Sequence, residues 1–156
     1  MAASSPPTLA ACNAATLAHL NMVQGVINRV AGNSAQCKTW CLTLVTALIA
    51  FAGAIHNIGP ITLAILPIVM FFLLDAAYLA TEIAYRNLFN TLAKAIRDST
   101  YNLDQAFDLR APVTSGDFGQ ALCSWSIGIC YYPLIVAYVV VMRDTDLAQK
   151  LAALKT

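Results

Sequence analysis

Residues 58–80 (IGPITLAILPIVMFFLLDAAYLA) decide the fold, because this stretch carries no charged residue other than Asp75. Its 23 residues would span about 34 Å as a helix, enough to cross a bilayer core of about 30 Å. A carboxylate near the membrane centre costs about 2.5–3.5 kcal/mol, and proteins that keep one usually direct it to a bundle interior, a partner or water. The stretch therefore predicts an integral membrane protein whose helices associate.

The composition of the whole chain agrees with this class. Hydrophobic residues make up 59% and charged residues 11% of the 156 residues, and the mean hydropathy is +0.66. Soluble domains carry about 25% charged residues. The sequence contains no GxSxG, HExxH or phosphate-loop motif, and its two histidines lack metal-ligand spacing. We therefore expect a single domain that is not an enzyme and binds no cofactor or metal.

The apolar segments predict three membrane spans, at residues 39–56, 58–80 and 121–142. The second helix should kink at Pro67 and continue to about residue 98, extending into the cytoplasm. Residues 99–118 predict a loop. The expected organisation is an N-terminal arm and amphipathic helix (1–38), a transmembrane bundle (39–142) with a cytoplasmic segment (81–118), and a C-terminal tail (143–156) predicted to form a short amphipathic helix.

The N-terminal helix, predicted over residues 13–33, has an unusual polar side. Small and amide residues recur there at alternating spacings of three and four: Ala18, Asn21, Gly25, Asn28 and Gly32. Small residues let helices approach closely and amides bond between helices, so Asn21, Gly25 and Asn28 are candidates for an oligomer contact. The alternatives are the lining of a narrow wet pore and a helix lying on the membrane surface.

A line of polar residues follows Asp75 along the second helix. Tyr78, Glu82, Tyr85 and Arg86 share one face with it, and Glu82 and Arg86 form an i,i+4 pair. In a symmetric oligomer one carboxylate becomes a ring, as in many cation-selective constrictions, so Asp75, Tyr78 and Glu82 are candidates for a pore or gate. The alternative is that Asp75 bonds an amide or tyrosine on a neighbouring helix and fixes packing.

The distribution of positive charge predicts a cytoplasmic N-terminus. Six basic residues would then face the cytoplasm: Arg29, Lys38, Arg86, Lys94, Arg97 and Arg110. Lys38 would also anchor the start of the first span. If an oligonucleotide binds, these six residues are the basic side chains available to its phosphates, and Tyr101 and Phe107 are the rings available to stack on its bases. The alternative is a solvated charged face, because residues 81–118 hold five acidic and four basic residues.

Five cysteines lie in or beside apolar segments: Cys12, Cys37, Cys41, Cys123 and Cys130. They predict small, buried, reduced thiols, and the alternative is a metal or redox pair formed by Cys37 and Cys41. His56 is expected in an interfacial turn, with proton sensing as the alternative.

Two stretches together carry a resemblance to a known family: residues 19–40 (HLNMVQGVINRVAGNSAQCKTW) and 73–89 (LLDAAYLATEIAYRNLF), the second of the form LDxxYLxxExxxRxLF. They resemble small bacterial membrane proteins encoded beside nucleotidyltransferases in antiphage defence, among them the membrane effector subunit of the Hailong system. The resemblance covers most of residues 16–90. It implies a symmetric, tetrameric channel-forming toxin of the bacterial inner membrane, held inactive by a single-stranded DNA oligomer that the partner nucleotidyltransferase makes.

Together with the apolar spans and the polar face that follows Asp75, this resemblance implies an oligomeric ion-channel-forming effector that depolarises the membrane when its DNA ligand is released. The alternative is a non-conducting membrane anchor or scaffold that recruits a soluble partner through residues 81–118. A secondary transporter is disfavoured, because the chain shows no recognisable inverted repeats.

Overall fold

The structure is a computed structural model that describes the backbone of residues 9–55, 57, 59–101 and 107–153, and most side chains between residues 14 and 144. These residues contain no strand and form the helices α1 (Leu9–Ile55), α2 (Gly59–Leu63), α3 (Ile65–Arg97), α4 (Ser115–Leu122) and α5 (Trp125–Ala153). Three segments are long and apolar enough to cross a membrane: Ala14–Ile55, Gly59–Arg97 and Trp125–Asp144. The predicted all-α fold with three such helices is confirmed and indicates a multi-pass membrane protein.

Helix α1 runs without interruption through the predicted boundary between the amphipathic helix and the first span. Its 47 residues extend over about 70 Å, more than twice the thickness of a bilayer core. The prediction of two separate helices is wrong, because no proline or glycine follows Gly32 before the apolar segment begins at Thr39. The polar residues between them change the character of the helix surface without ending the helix.

The second apolar stretch is interrupted at Ala64, close to the predicted kink. Pro67 has no N–H to donate to the carbonyl of Leu63, and its ring disfavours regular helix around that carbonyl. The backbone answers with a tighter turn, in which Ala64 N–H donates to the Ile61 carbonyl at 3.0 Å. Helix α3 then continues unbroken to Arg97, so the predicted long helix is confirmed from residue 65 onward.

Helices α1 and α3 lie antiparallel and share the most extensive contact of the fold. Around Cys41, Val45, Ile68, Ala76 and Tyr131, side chains of α1, α3 and α5 form one core. A second core further along the same helix pair is built on Val23, Ile27 and Leu92. The register of α1 against α3 is therefore set by two separate apolar clusters.

The exposed surface divides the molecule into two zones. Large exposed apolar side chains concentrate in residues 40–55, 63–74 and 125–140, which we call the apolar belt. Residues 14–37 of α1 and 78–97 of α3, which we call the stalk, expose mostly polar side chains. A 24-residue segment of α1 corresponds to about 36 Å of helix, so the stalk is a substantial structure outside the belt.

The predicted loop 99–118 is wrong at its end, because α4 begins at Ser115. Thr114 caps α4: its hydroxyl accepts a hydrogen bond from Asp117 N–H, while the Asp117 carboxylate accepts from Thr114 N–H at 2.9 Å. These hydrogen bonds to Thr114 hold the pKa of the Asp117 carboxyl below its usual value. The cap is therefore complete at neutral pH and weakens only as the pH falls below about 4.

Helix α5 starts at Trp125 rather than at residue 121, and it continues through Arg143 to Ala153. The predicted separate C-terminal helix is therefore an extension of α5, and Lys155 lies outside the described residues. In the part of α5 whose side chains are described, Ile127 and Tyr131 are the two buried residues. Tyr131 donates its hydroxyl hydrogen to the Phe71 carbonyl at 3.1 Å, which holds α5 against α3.

Three buried alanines on α3, spaced four residues apart, allow a test of how closely the neighbouring elements pack against this helix. Ala76, Ala80 and Ala84 are 0%, 0% and 6% exposed, so neighbouring elements approach this face closely. Ala80→Leu should lower the free energy of unfolding by about 1–3 kcal/mol, because the added side chain has no space. Ala77→Leu, on the exposed side of the same helix, is the matched control and should change it by less than about 0.5 kcal/mol. Equal unfolding midpoints for the two variants in detergent would contradict the packing.

Candidate functional site

Asp75 is fully buried in the contact between α3 and α1, at the end of the apolar belt that adjoins the stalk. Its partners are both on α1. Lys38 Nζ lies 2.9 Å from Asp75 Oδ1 and 2.7 Å from Oδ2, and Ser34 Oγ donates a hydrogen bond to Oδ1. Lys38 Nζ also donates to Ser34 Oγ at 2.9 Å. We call Ser34, Lys38 and Asp75 the junction cluster.

The spacing on α1 explains why the junction cluster forms. Ser34 and Lys38 are four residues apart and therefore lie on one face of the helix, one turn from each other. The partner expected for Asp75 on a neighbouring helix was an amide or a tyrosine, and the structure supplies a lysine and a serine instead. Lys38 was expected to anchor the first span in water, yet its side chain is 20% exposed and reaches inward to the carboxylate.

The junction cluster is an unusual way to join two helices. Taking two charges out of water costs several kcal/mol per ion, and a well-packed apolar contact of similar volume is often as stable or more stable. Both Asp75 oxygens face the ammonium, but among the described residues only Oδ1 accepts hydrogen bonds of good geometry. The cluster therefore joins α1 and α3 through an ion pair at a position where packed apolar side chains could also join them.

The remaining pore or gate candidates lie further along α3. Tyr78 is half-buried, and Glu82 is 9% exposed. Arg86 Nε donates to Glu82 Oε1 at 2.8 Å, so the predicted i,i+4 ion pair is present. Asp75 is bonded across to α1, whereas Glu82 is bonded along its own helix. The structure therefore places these residues on one helix but in two separate polar groups.

The small and amide stripe of α1 faces away from the chain's own core. Asn21, Gly25 and Asn28 are all exposed. A Cβ atom added at Gly25 or Gly32 would meet nothing within 4 Å, so no other part of the described chain makes use of the missing side chains. Close packing within one chain does not explain the stripe, and contact with another copy stays a prediction.

A polar groove of about 320 Å³ lies beside this stripe, between α1 and α3 of the stalk. It is lined by Gln24, Ile27, Asn28, Ala31, Arg86, Phe89 and Asn90. Gln24 Nε2 donates to Asn28 Oδ1 at 3.2 Å, which aligns two amides along the groove wall. The groove combines amides, one guanidinium and one aromatic ring on a surface that is open to ligands.

The six basic residues are not equivalent. Arg29, Lys94 and Arg97 are exposed on the stalk, and Arg110 lies on the segment after α3 with its side chain 92% exposed and 3.8 Å from Asp108. The Arg86 side chain is 60% exposed although it is paired with Glu82. The sixth, Lys38, is engaged with Asp75 in this conformation. The candidate ligand-binding charges therefore belong to the stalk side of the molecule.

His19 is a residue whose role the sequence did not reveal. It is 1% exposed, and Nε2 lies 3.1 Å from the Asp108 carbonyl oxygen. A carbonyl only accepts, so Nε2 carries the proton, and Nδ1 accepts from the Tyr101 hydroxyl at 3.0 Å. Burial raises the pKa of the Tyr101 hydroxyl. Tyr101 and Asp108 lie 82 and 89 positions from His19 in the sequence, so no local pattern indicates these contacts.

Through these two hydrogen bonds His19 holds the segment between α3 and α4 against the stalk. Phe107 packs its ring 6.2 Å from His19 and adopts a φ of 68°, a conformation that bulky residues rarely take. Leu109 packs on the stalk core of Val23 and Ile27. The Tyr101 hydroxyl is thus hydrogen-bonded to His19. Phe107 is 51% exposed, so part of its ring is available for stacking. His56 lies outside the described residues.

The thiols follow the expectation in part. Cys37 and Cys41 are buried and free, Cys130 is half-buried, and Cys123 is exposed, contrary to the expectation of burial. The Cys41 thiol donates to the Pro67 carbonyl at 3.9 Å. The described residues contain no group of three or more His, Cys, Asp and Glu side chains placed to hold a metal ion.

A double-mutant cycle on the buried pair tests its energetic character. Lys38→Met should lower the free energy of unfolding by about 3 kcal/mol, because it leaves the Asp75 carboxylate buried without its partner. Asp75→Leu should lower it by less, because the partly exposed lysine side chain can turn to water. The double variant should lie within about 1 kcal/mol of the wild type. Arg110→Met, which removes the partner of Asp108 in a pair whose side chains are 92% and 57% exposed, is the control and should cost less than about 1 kcal/mol. Unfolding in detergent micelles measures all four, and additive losses in the double variant would contradict the pair.

No known protein family, curated protein or solved structure matches this chain.

Proposed function

We propose that this chain is the subunit of a homo-oligomeric ion channel in the bacterial inner membrane, and that the junction cluster controls its opening. The observation that carries the proposal is the ion pair between Lys38 and Asp75, buried where the stalk meets the apolar belt. Ionisable groups within membrane segments commonly mark ion pathways and gates. A buried pair resists disturbance until one partner is displaced, and its loss then destabilises the helix contact strongly.

The surface of the stalk supports assembly with further copies. Asn21, Gly25 and Asn28 form an uncharged stripe that is exposed in the single chain, with open space at the glycine. Closed symmetric assemblies bury the same patch on every subunit. In a tetramer, four copies of α1 would then run from the stalk into the membrane side by side. Asp75, Tyr78 and Glu82 would be repeated around the axis of such an assembly.

The resemblance described above supports a role in antiphage defence. On this proposal a single-stranded DNA oligomer, made by a partner nucleotidyltransferase, binds the cytoplasmic stalk and keeps the channel closed. Arg29, Lys94, Arg97 and Arg110 offer exposed positive charge on that side, and Phe107 offers a ring for stacking. Release of the ligand would free the stalk, displace Lys38 from Asp75 and depolarise the membrane.

A second candidate function is a non-conducting membrane scaffold. It is favoured by the length of the stalk, whose polar surface and groove extend well beyond the apolar belt and could recruit a soluble partner. The scaffold differs from the channel in one measurable respect. A channel collapses the membrane potential when it is expressed without its regulator, and a scaffold leaves the potential unchanged.

Asp75→Asn tests the channel and its control point together. Expressed in bacteria without partner genes, the wild type should collapse the membrane potential, reported by a potential-sensitive dye. Asp75→Asn should abolish this collapse or change the ion selectivity, because the amide removes the charge that both holds Lys38 and would face the ion path. Abundance in the membrane fraction is matched between strains.

The control for this experiment is Asp98→Asn, the same change at an exposed carboxylate that ends α3. It should depolarise cells like the wild type. If Asp75→Asn at equal abundance also depolarises like the wild type with unchanged selectivity, Asp75 has no part in conduction. If the wild type itself leaves the potential intact, the scaffold replaces the channel as the proposed function.

A further inference from the structure

We propose that the carboxylate of Asp75 and the hydroxyl of Ser34 form a binding site for a monovalent cation, which the ammonium of Lys38 occupies in this conformation. Three oxygens surround Nζ: Ser34 Oγ and Asp75 Oδ1 at 2.9 Å each, and Asp75 Oδ2 at 2.7 Å. An ammonium group and a potassium ion have the same charge and similar size, and both prefer oxygen neighbours. Lys38 is therefore a tethered cation in a site that a free cation fits.

The site is built into the helix contact rather than placed on the surface. Asp75 is 0% exposed and Ser34 is 6% exposed, so neither oxygen ligand can turn to bulk water without movement of α1 or α3. Ser34 Oγ donates its hydrogen to Asp75 Oδ1, which leaves its lone pairs directed at the ammonium. This hydrogen bond orients the hydroxyl as a cation ligand.

The hydrogen bonding of the carboxylate points to a cation in the same way. Asp75 Oδ2 is buried and lies 2.7 Å from the ammonium. Lys38 Nζ therefore approaches both carboxylate oxygens, and it also donates to Ser34 Oγ. A single cation at this position would likewise contact both carboxylate oxygens and the hydroxyl.

The charge of the site selects the class of ion. One carboxylate and one hydroxyl supply a single negative charge, which would leave a divalent ion with one positive charge uncompensated. A monovalent ion, whose charge the site balances, is the appropriate ligand. Lys38 enters from the open side of the site, because its side chain is 20% exposed while that of Asp75 is 0% exposed.

The role of this site in conduction rests on the proposed channel. While Lys38 occupies it, the negative charge of each subunit is neutralised. When the lysine side chain withdraws, one unneutralised carboxylate per subunit is exposed to ions, and a ring of such groups selects cations over anions. The inference therefore names monovalent cations as the conducted species and Lys38 as the group that excludes them in the closed state.

Cation-dependent stability of Lys38→Ala tests the site without any measurement of conduction. The purified full-length variant is heated in detergent with potassium, sodium, ammonium or choline chloride at equal ionic strength. Its melting temperature should rise saturably with one or more of the three small cations, by about 2–4 °C at saturation relative to choline. The wild type, whose site is filled, should show no difference among the four salts.

Two further variants make the test decisive. Lys38→Met keeps the volume of the lysine stem and should show the same cation preference if truncation to alanine lets the site collapse. Lys38→Ala combined with Asp75→Asn removes the charge of the site and should respond to all four salts alike. Equal melting temperatures in all four salts for both single variants would overturn the proposal. So would failure of both single variants to fold in every salt, because a free cation would then be unable to replace the ammonium.

The outcomes separate this inference from the proposed channel. A cation-specific stabilisation of Lys38→Ala in a protein that never depolarises cells would leave the site standing and remove the channel. Depolarisation by the wild type without any cation preference in the Lys38 variants would leave the channel standing and remove the site.

Discussion

The contact between α1 and α3 depends on one buried charge pair at the point where the surface of the molecule changes from apolar to polar. Two apolar clusters set the register of the two helices, and the Lys38–Asp75 pair lies at the stalk-side edge of the larger one. Apolar packing is tolerant of small shifts, whereas an unpaired buried charge is not. The pair therefore penalises small displacements of the two helices at this level more strongly than the apolar clusters do.

The continuity of α1 gives the pair its mechanical setting. Val23 and Ile27 in the stalk core and Lys38 at the junction belong to one unbroken helix, so a rotation or tilt of the stalk moves the ammonium directly. Within the belt, by contrast, Pro67 interrupts the second apolar stretch at Ala64, so α3 begins ten residues before Asp75. The junction therefore joins an unbroken helix to one that starts close by, after a tight turn.

The features of this fold that depend on local pattern can be predicted from the sequence. The membrane segments, the disturbance at Pro67 and the Glu82–Arg86 pair each follow from residues within one or two helical turns. The partner of Asp75 did not follow, because Lys38 is 37 positions away and meets it only once the register of α1 and α3 is known. The continuity of α1 does not follow from local pattern, because a change from polar to apolar surface accompanies helix ends as well as unbroken helices. His19 was missed because it meets Tyr101 and Asp108 only in the folded chain.

Two ion pairs involve carboxylates of α3, and their positions differ although their chemistry is similar. Glu82 and Arg86 are bonded along one helix with the arginine side chain 60% exposed, so this pair does not join one helix to another. Lys38 and Asp75 join two helices and are largely withdrawn from water. Their exposure is also unequal, because the carboxylate is enclosed while the lysine stem reaches the surface. The inequality fixes the direction of any opening: the ammonium is the partner free to leave, and the carboxylate stays where it is.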